Sequence, residues 1–150
     1  MKQITCKEIG RFEFEEVATP ICKPNEALLR IQNIGICGTD LHAFKGEQPF
    51  FTYPRILGHE LSATIEQLPD NASGFAVGDP VVVLPYINCG TCIACRNNRP
   101  NCCIKMNVIG VHSDGGMREF MPVPVDRLVS AKGLPFEDAA LVECLSICLL

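Results

Sequence analysis

Cys89-Gly90-Thr91-Cys92-Ile93-Ala94-Cys95 sets three cysteines at intervals of three. Cys103 follows Cys95 by eight positions, across the polar turn Arg96-Asn97-Asn98-Arg99-Pro100. A two-residue gap lets two thiolates reach one ion from a tight turn. Four thiolates in a tetrahedron suit zinc, which is redox-inert and has no strong geometric preference. A closed shell of four sulfurs leaves no place for a reactant, so the lobe at about 89–103 is expected to be structural. Cys102 competes with Cys103 for the fourth place, because only one of two neighbouring side chains normally points inward. Unligated thiols are the other reading, and four at this spacing in a polar loop argue against it.

The chain carries ten cysteines in 150 residues, a count that needs a cause. No basic segment followed by an apolar run opens it. The longest apolar run, Pro80–Pro85, is far too short to span a membrane. A cytoplasmic setting is therefore expected, with the cysteines acting as metal ligands or buried thiols rather than disulfides. A formal net charge of −4 argues against nucleic acid or an anionic membrane as the main partner. The lobe itself has only Arg96, Arg99 and Lys105 nearby, too few for a nucleic-acid-binding zinc module.

Elsewhere the first hundred residues alternate short apolar runs with turn residues. Ala27–Ile34, Leu61–Glu66 and Val81–Leu84 are expected to be strands, and Met117–Val123 and Leu128-Val129 two more. Eleven prolines and twelve glycines punctuate these runs. Pro20, Pro24, Pro54, Pro69, Pro80 and Pro85 would each interrupt a helix. The pattern predicts a mainly β domain with short helices and long loops. The last stretch differs. Pro135, Glu137 and Asp138 suit a helix N-terminus, and Phe136 to Leu150 reads as one buried helix. No Gly, Pro or polar tail closes it, so the chain is expected to be part of a longer protein with a second domain following.

A further set of metal-ligating residue types is spread along the chain. Gly35-Ile36-Cys37-Gly38-Thr39-Asp40-Leu41-His42 follows one strand, and Leu57-Gly58-His59-Glu60 opens another. One thiolate, one imidazole and a carboxylate make a sensible zinc site with an open position. A lone Cys or His is more often a core or loop residue, so these residues by themselves leave both readings open.

Taken in order, these two segments, then Gly78-Asp79-Pro80-Val81-Val82, the cysteine lobe, and Gly115-Gly116-Met117-Arg118-Glu119-Phe120 resemble the zinc-dependent medium-chain alcohol dehydrogenase family over essentially the whole chain. The resemblance implies an N-terminal catalytic domain of GroES-like β-barrel type, ending at the start of the helix that leads to a Rossmann domain absent from residues 1–150. It implies Cys37 and His59 as ligands of a catalytic zinc, with Glu60 beside the metal. It implies that Asp40 holds the other nitrogen of His59, that Thr39 takes the alcohol proton, and that His42 passes it to solvent. A further ligand is expected in Leu141-Val142-Glu143-Cys144-Leu145-Ser146. Simple alcohol dehydrogenases commonly use Cys there. The polyol branch uses Glu, normally before a Pro, and this chain has Glu143 followed by Cys144. Adjacent helical side chains point about 100° apart, so one of the two should face the metal. Glu143 is favoured, because Cys144 has an adequate role as a small buried residue, as do Cys6, Cys22, Cys102 and Cys148.

The expected function is zinc-dependent oxidation of a secondary alcohol, polyol or sugar-acid hydroxyl with hydride transfer to NAD or NADP. One zinc would be catalytic and one structural, and the resemblance implies a homodimer or homotetramer. Gly38, where some relatives carry a basic residue, fits the sorbitol and threonine dehydrogenase-like branch. Gly115-Gly116 lies between strands with no helix following, so it is no dinucleotide loop. The alternative for these residues alone is a zinc-stabilised structural domain without activity.

Overall fold

A computed structural model describes residues 1–149. Strands β1 (Lys2–Glu8) and β2 (Arg11–Glu16) form an antiparallel hairpin. Its turn passes through Gly10 at φ 74°, a left-handed conformation that glycine adopts without penalty. The strands of the main sheet are β3 (Glu26–Gly35), β4 (Glu60–Gln67), β5 (Pro80–Val83), β8 (Phe120–Pro124) and β9 (Leu128–Ser130). They pair antiparallel in the order β8-β3-β4-β5-β9. A small ribbon of β6 (Tyr86–Ile87) and β7 (Asn107–Val108) stands beside the cysteine lobe. Helices are short: α1 (Gly38–Lys45), α2 (Ile93–Arg96), α3 (Phe136–Ala140) and α4 (Val142–Cys148). The mainly β reading is thus correct. The β1–β2 hairpin is an addition, joined to the rest where Ile4 N–H donates to the Met117 carbonyl and Glu119 N–H to the Lys2 carbonyl.

Period-two alternation decides the two faces of the sheet. Ala27, Leu29, Leu61, Ala63, Ile65, Val81, Val83, Met121 and Val123 fill one core. Val82 points the other way, where Ala131, Ala139 and Val142 cover it. Cys6, Ala43 and Leu57 make a smaller core under α1 with Phe44, Phe51, Tyr53 and Met117.

The C-terminal segment departs from expectation. It is two short helices, because Leu141 both closes α3 and opens α4. Only Ala139, Ala140 and Glu143 are buried in them, while Leu141, Leu145 and Ile147 are exposed. The sheet touches one side of this segment and nothing among the described residues lies over the other. Leu150, the expected end of that helix, lies outside the described residues. No helix among the described residues is long and apolar enough to cross a membrane.

Strand register gathers the chemistry at one end of the sheet. Gly35 at the end of β3 pairs with Glu60 at the start of β4. Cys37, two residues after Gly35, and His59, one before Glu60, therefore arrive together. Strand β5 runs antiparallel to β4, with Ser62 opposite Val82. It exits at the same end and delivers Tyr86 there. Helix α4, lying against β4 and β5, brings Glu143.

Candidate metal centres

The cysteine lobe closes on itself. The sulfurs of Cys89, Cys92, Cys95 and Cys103 all lie within 4.8 Å of one another. Cys92 Sγ is 3.5 Å from Cys95 Sγ and 3.9 Å from Cys103 Sγ. Zn–S bonds near 2.3 Å at tetrahedral angles would set two thiolates about 3.8 Å apart, so the spacing suits that ion. Backbone N–H groups turn inward: Cys89 and Lys105 donate to Cys103 Sγ, and Cys92 donates to Cys89 Sγ. Donation from the Thr91 backbone, followed by the Thr91 hydroxyl and the Cys92 backbone, pulls the Cys89 thiol down to about 6, toward the thiolate a metal needs. Burial pushes Cys95 the other way. Cys103 is buried in the cluster, while its neighbour Cys102 is exposed outside it. The short 3-10 turn Pro100–Cys102 ends at Cys103 and sets that choice.

The other centre is assembled from distant segments. Cys37 is the N-cap of α1 and its Sγ accepts the Thr39 N–H at 3.3 Å. Asp40 Oδ2 accepts the Cys37 N–H at 3.0 Å, and its Oδ1 accepts the Gly58 N–H at 3.2 Å. One buried carboxylate thus ties the start of α1 to the residue before His59. His59 Nε2 lies 3.3 Å from Cys37 Sγ. Two tetrahedral zinc ligands of these types would be about 3.6 Å apart. Gly35 leaves room for the neighbouring acid, since a Cβ there would fall 2.8 Å from Glu60 Cβ. His59, Glu60 and Glu143 are all buried, with one ligand atom of each within 4.8 Å of the others.

Electrostatics favour a cation here. Burial pushes the Glu60 carboxyl up, His59 opposes this, and Glu143 and Asp40 add to the rise. Among the described residues no Lys or Arg forms an ion pair with Asp40, Glu60 or Glu143. Buried carboxylates without a counter-charge are costly, and a divalent ion would supply the compensation. A soft thiolate with an imidazole and a carboxylate is a donor set that suits zinc.

Several expectations change. Asp40 does not hold the second nitrogen of His59: its oxygens accept the Cys37 and Gly58 N–H groups, and His59 Nδ1 is buried without a hydrogen-bond partner among the described residues. Glu143 faces the cluster, and Cys144 is exposed on the next position of α4. The reading of spare cysteines as buried holds for Cys6 alone: Cys22 is half-buried, and Cys102, Cys144 and Cys148 are exposed, on short turns and helices whose outer sides none of the described residues covers. Thr39 is half-buried beside Cys37, and His42 is exposed three residues along the same helix. Tyr86 is the group that the sequence did not single out. Its hydroxyl donates to Glu143 Oε1. Burial and that carboxylate hold the phenol protonated, far above its ordinary range. The only signal was a tyrosine in an otherwise apolar run, since a buried phenol normally finds a partner.

Known proteins resemble this chain in sequence and fold. The chain is 44% identical to the L-galactonate-5-dehydrogenase of Escherichia coli K12 over 98% of its own length and 43% of that protein's. A solved alcohol dehydrogenase from E. coli CFT073, complexed with NADH, superposes with a TM-score of 0.91 at 30% identity, over 99% of this chain and 44% of that one. A solved putative zinc-binding dehydrogenase from Sinorhizobium meliloti 1021, bound to NADP, gives a TM-score of 0.91 at 32% identity over 99% and 43%. The chain therefore spans somewhat less than half the length of these relatives. The model of the alcohol dehydrogenase GroES-like domain matches residues 23–133, from ahead of β3 to just past β9, and the chain belongs to that family.

Proposed function

We propose that this chain carries the metal-binding part of a zinc-dependent dehydrogenase that oxidises a secondary alcohol, polyol or sugar-acid hydroxyl and passes hydride to NAD or NADP. The observation that carries the reading is that His59 gathers half-buried Cys37 on one side and the buried Glu60 and Glu143 on the other, with no Lys or Arg paired to these carboxylates among the described residues. The polyol and sugar-acid substrate class rests on the likeness to L-galactonate-5-dehydrogenase and on Glu143, rather than Cys144, turning inward.

Cys37 and Glu143 supply two negative charges and His59 a neutral nitrogen, which balance a divalent ion and leave one position open. When bound there, zinc polarises a substrate hydroxyl and lowers its pKa. The hydroxyl of Thr39, held beside Cys37 by its own N–H, would accept the substrate hydroxyl proton as it releases its own, and the exposed His42 one turn on would take that released proton and hand it to water. Glu60 stands next to the ligands and remains available to exchange with them. The Cys89, Cys92, Cys95 and Cys103 lobe takes a second zinc whose role is structural. A Rossmann domain elsewhere in the protein would bind the nicotinamide, in a homodimer or homotetramer.

Metal analysis of the intact protein, paired with oxidation of a polyol and sugar-acid panel, tests this. Cys37→Ser and Glu143→Gln should lose activity and one zinc, while Cys144→Ala keeps both. Loss in Cys144→Ala with retention in Glu143→Gln would overturn the ligand set and the substrate class with it.

A further inference from the structure

Of the two carboxylates in the buried cluster, only one is anchored. Glu60 receives no side-chain hydrogen bond from the described residues, and the Glu143 carboxylate receives one, from Tyr86. A glutamate side chain has several rotatable bonds, and holding it in one rotamer costs conformational entropy. Glu143 must also approach a second buried acid, which repels it whenever both are ionised. Something on the protein has to offset both costs.

We propose that Tyr86 is the positioning residue of this centre: its hydroxyl fixes the Glu143 carboxylate toward His59 and Glu60, so that Glu143 is a pre-set ligand and Glu60 is not. The inference rests on the zinc reading given above.

The tyrosine is itself well held. It lies in β6, opposite Val108 of β7. Arg127 Nη1 donates to the Tyr86 carbonyl at 3.2 Å and to Asn88 Oδ1 at 3.3 Å. Asn88 Nδ2 in turn lies 3.6 Å from Cys95 Sγ. The phenol therefore projects from a strand braced on one side by Arg127 and on the other by the cysteine lobe. Partners that orient a ligating side chain from behind are typically worth 10–100-fold in metal affinity.

The test uses the intact protein with zinc, and with cobalt as a spectroscopic substitute, in competition with a chromophoric chelator. Tyr86→Phe removes only the hydroxyl. It should fold, keep the lobe's zinc, weaken metal binding at the Cys37 centre about 10–100-fold, and shift that centre's visible cobalt bands. Because the tyrosine acts only through Glu143, adding Tyr86→Phe to Glu143→Ala should weaken metal binding no further. Affinity within twofold of wild type with unchanged cobalt bands would overturn the proposal, as would further loss in the double variant or a Tyr86→Phe chain that does not fold. Cys37→Ser separates the two levels. If it abolishes metal binding at this centre while Tyr86→Phe does nothing, the positioning role fails and the zinc reading stands. If it leaves both metals bound, the zinc reading fails.

Discussion

Replacing Gly115 with alanine should unfold this domain far more readily than any cost of the extra methyl in open space. Gly115 does not need a left-handed backbone; it is required because two chain segments touch. A Cβ at this position would lie 2.3 Å from the Gly58 carbonyl oxygen and 2.5 Å from that of Leu57. Both are backbone atoms that cannot swing aside, so the segments must part by roughly 1 Å to reach ordinary contact distance. Three hydrogen bonds bridge them: Gly115 N–H to Ile56 at 2.7 Å, Gly116 N–H to Gly58 at 2.8 Å and Met117 N–H to Leu57 at 3.0 Å. At about 1 kcal/mol net for each bond, with about 1–3 kcal/mol of overpacking, the loss is roughly 4–6 kcal/mol. Typical domains hold only about 5–15 kcal/mol in total. Urea unfolding with a slope of about 2 kcal/mol per molar should show the midpoint falling by roughly 2–3 M. Gly58 precedes His59, so the metal content of the Cys37 centre should fall as well. Gly38→Ala is the matched control. Nothing lies within 4 Å of its Cβ position, it opens α1, and its φ is not left-handed, so stability should hold or rise by up to about 1 kcal/mol. A Gly115→Ala midpoint within about 0.3 M of wild type would refute the close-approach argument.

Cys92→Ser should cost about one zinc per chain and lower the melting temperature, while Cys102→Ser keeps its metal; equal loss in both would mean the fourth sulfur is Cys102. Thr39→Ala should keep zinc bound yet slow alcohol oxidation about 100-fold or more, read as kcat under saturating substrate, and an unchanged kcat would remove Thr39 from the proton path. Lys7, then Thr5 and Gln3, hold the Glu15 carboxyl down from 4.5 to about 2. Its folded pKa lies below its unfolded one, so its stabilisation is complete above about pH 4.5 and is lost as pH falls toward 2. Thermal unfolding across that range should show a shallower decline in Lys7→Met than in wild type; identical slopes would show that the pair contributes nothing.

Local pattern was enough wherever the chemistry closes within a few residues. The intervals among Cys89, Cys92 and Cys95 are those of a tight-turn chelate, and the lobe forms as the spacing requires. Alternation in Ala27–Ile34 and Leu61–Glu66 marked strands whose pairing then carried Cys37 to His59. The hairpin β1–β2 was less legible, because Glu13, Glu15 and Glu16 crowd a strand whose exposed side only the fold reveals.

Decisions between neighbours, and between equally placed donors, needed the tertiary structure. Sequence put Glu143 and Cys144 side by side on a helix; the packing of α4 against β4 and β5 fixed the helix phase, and 100° of rotation separates a buried carboxylate from an exposed thiol. Asp40 caps the start of α1 locally through the Cys37 N–H, and only the tertiary approach of Gly58 gives its other oxygen a partner, while His59 Nδ1 has none among the described residues. Tyr86 and Glu143 are 57 positions apart, and no local rule links them. They meet because β5 exits the sheet at the end where β4 begins, a consequence of antiparallel register that no single segment of the chain contains.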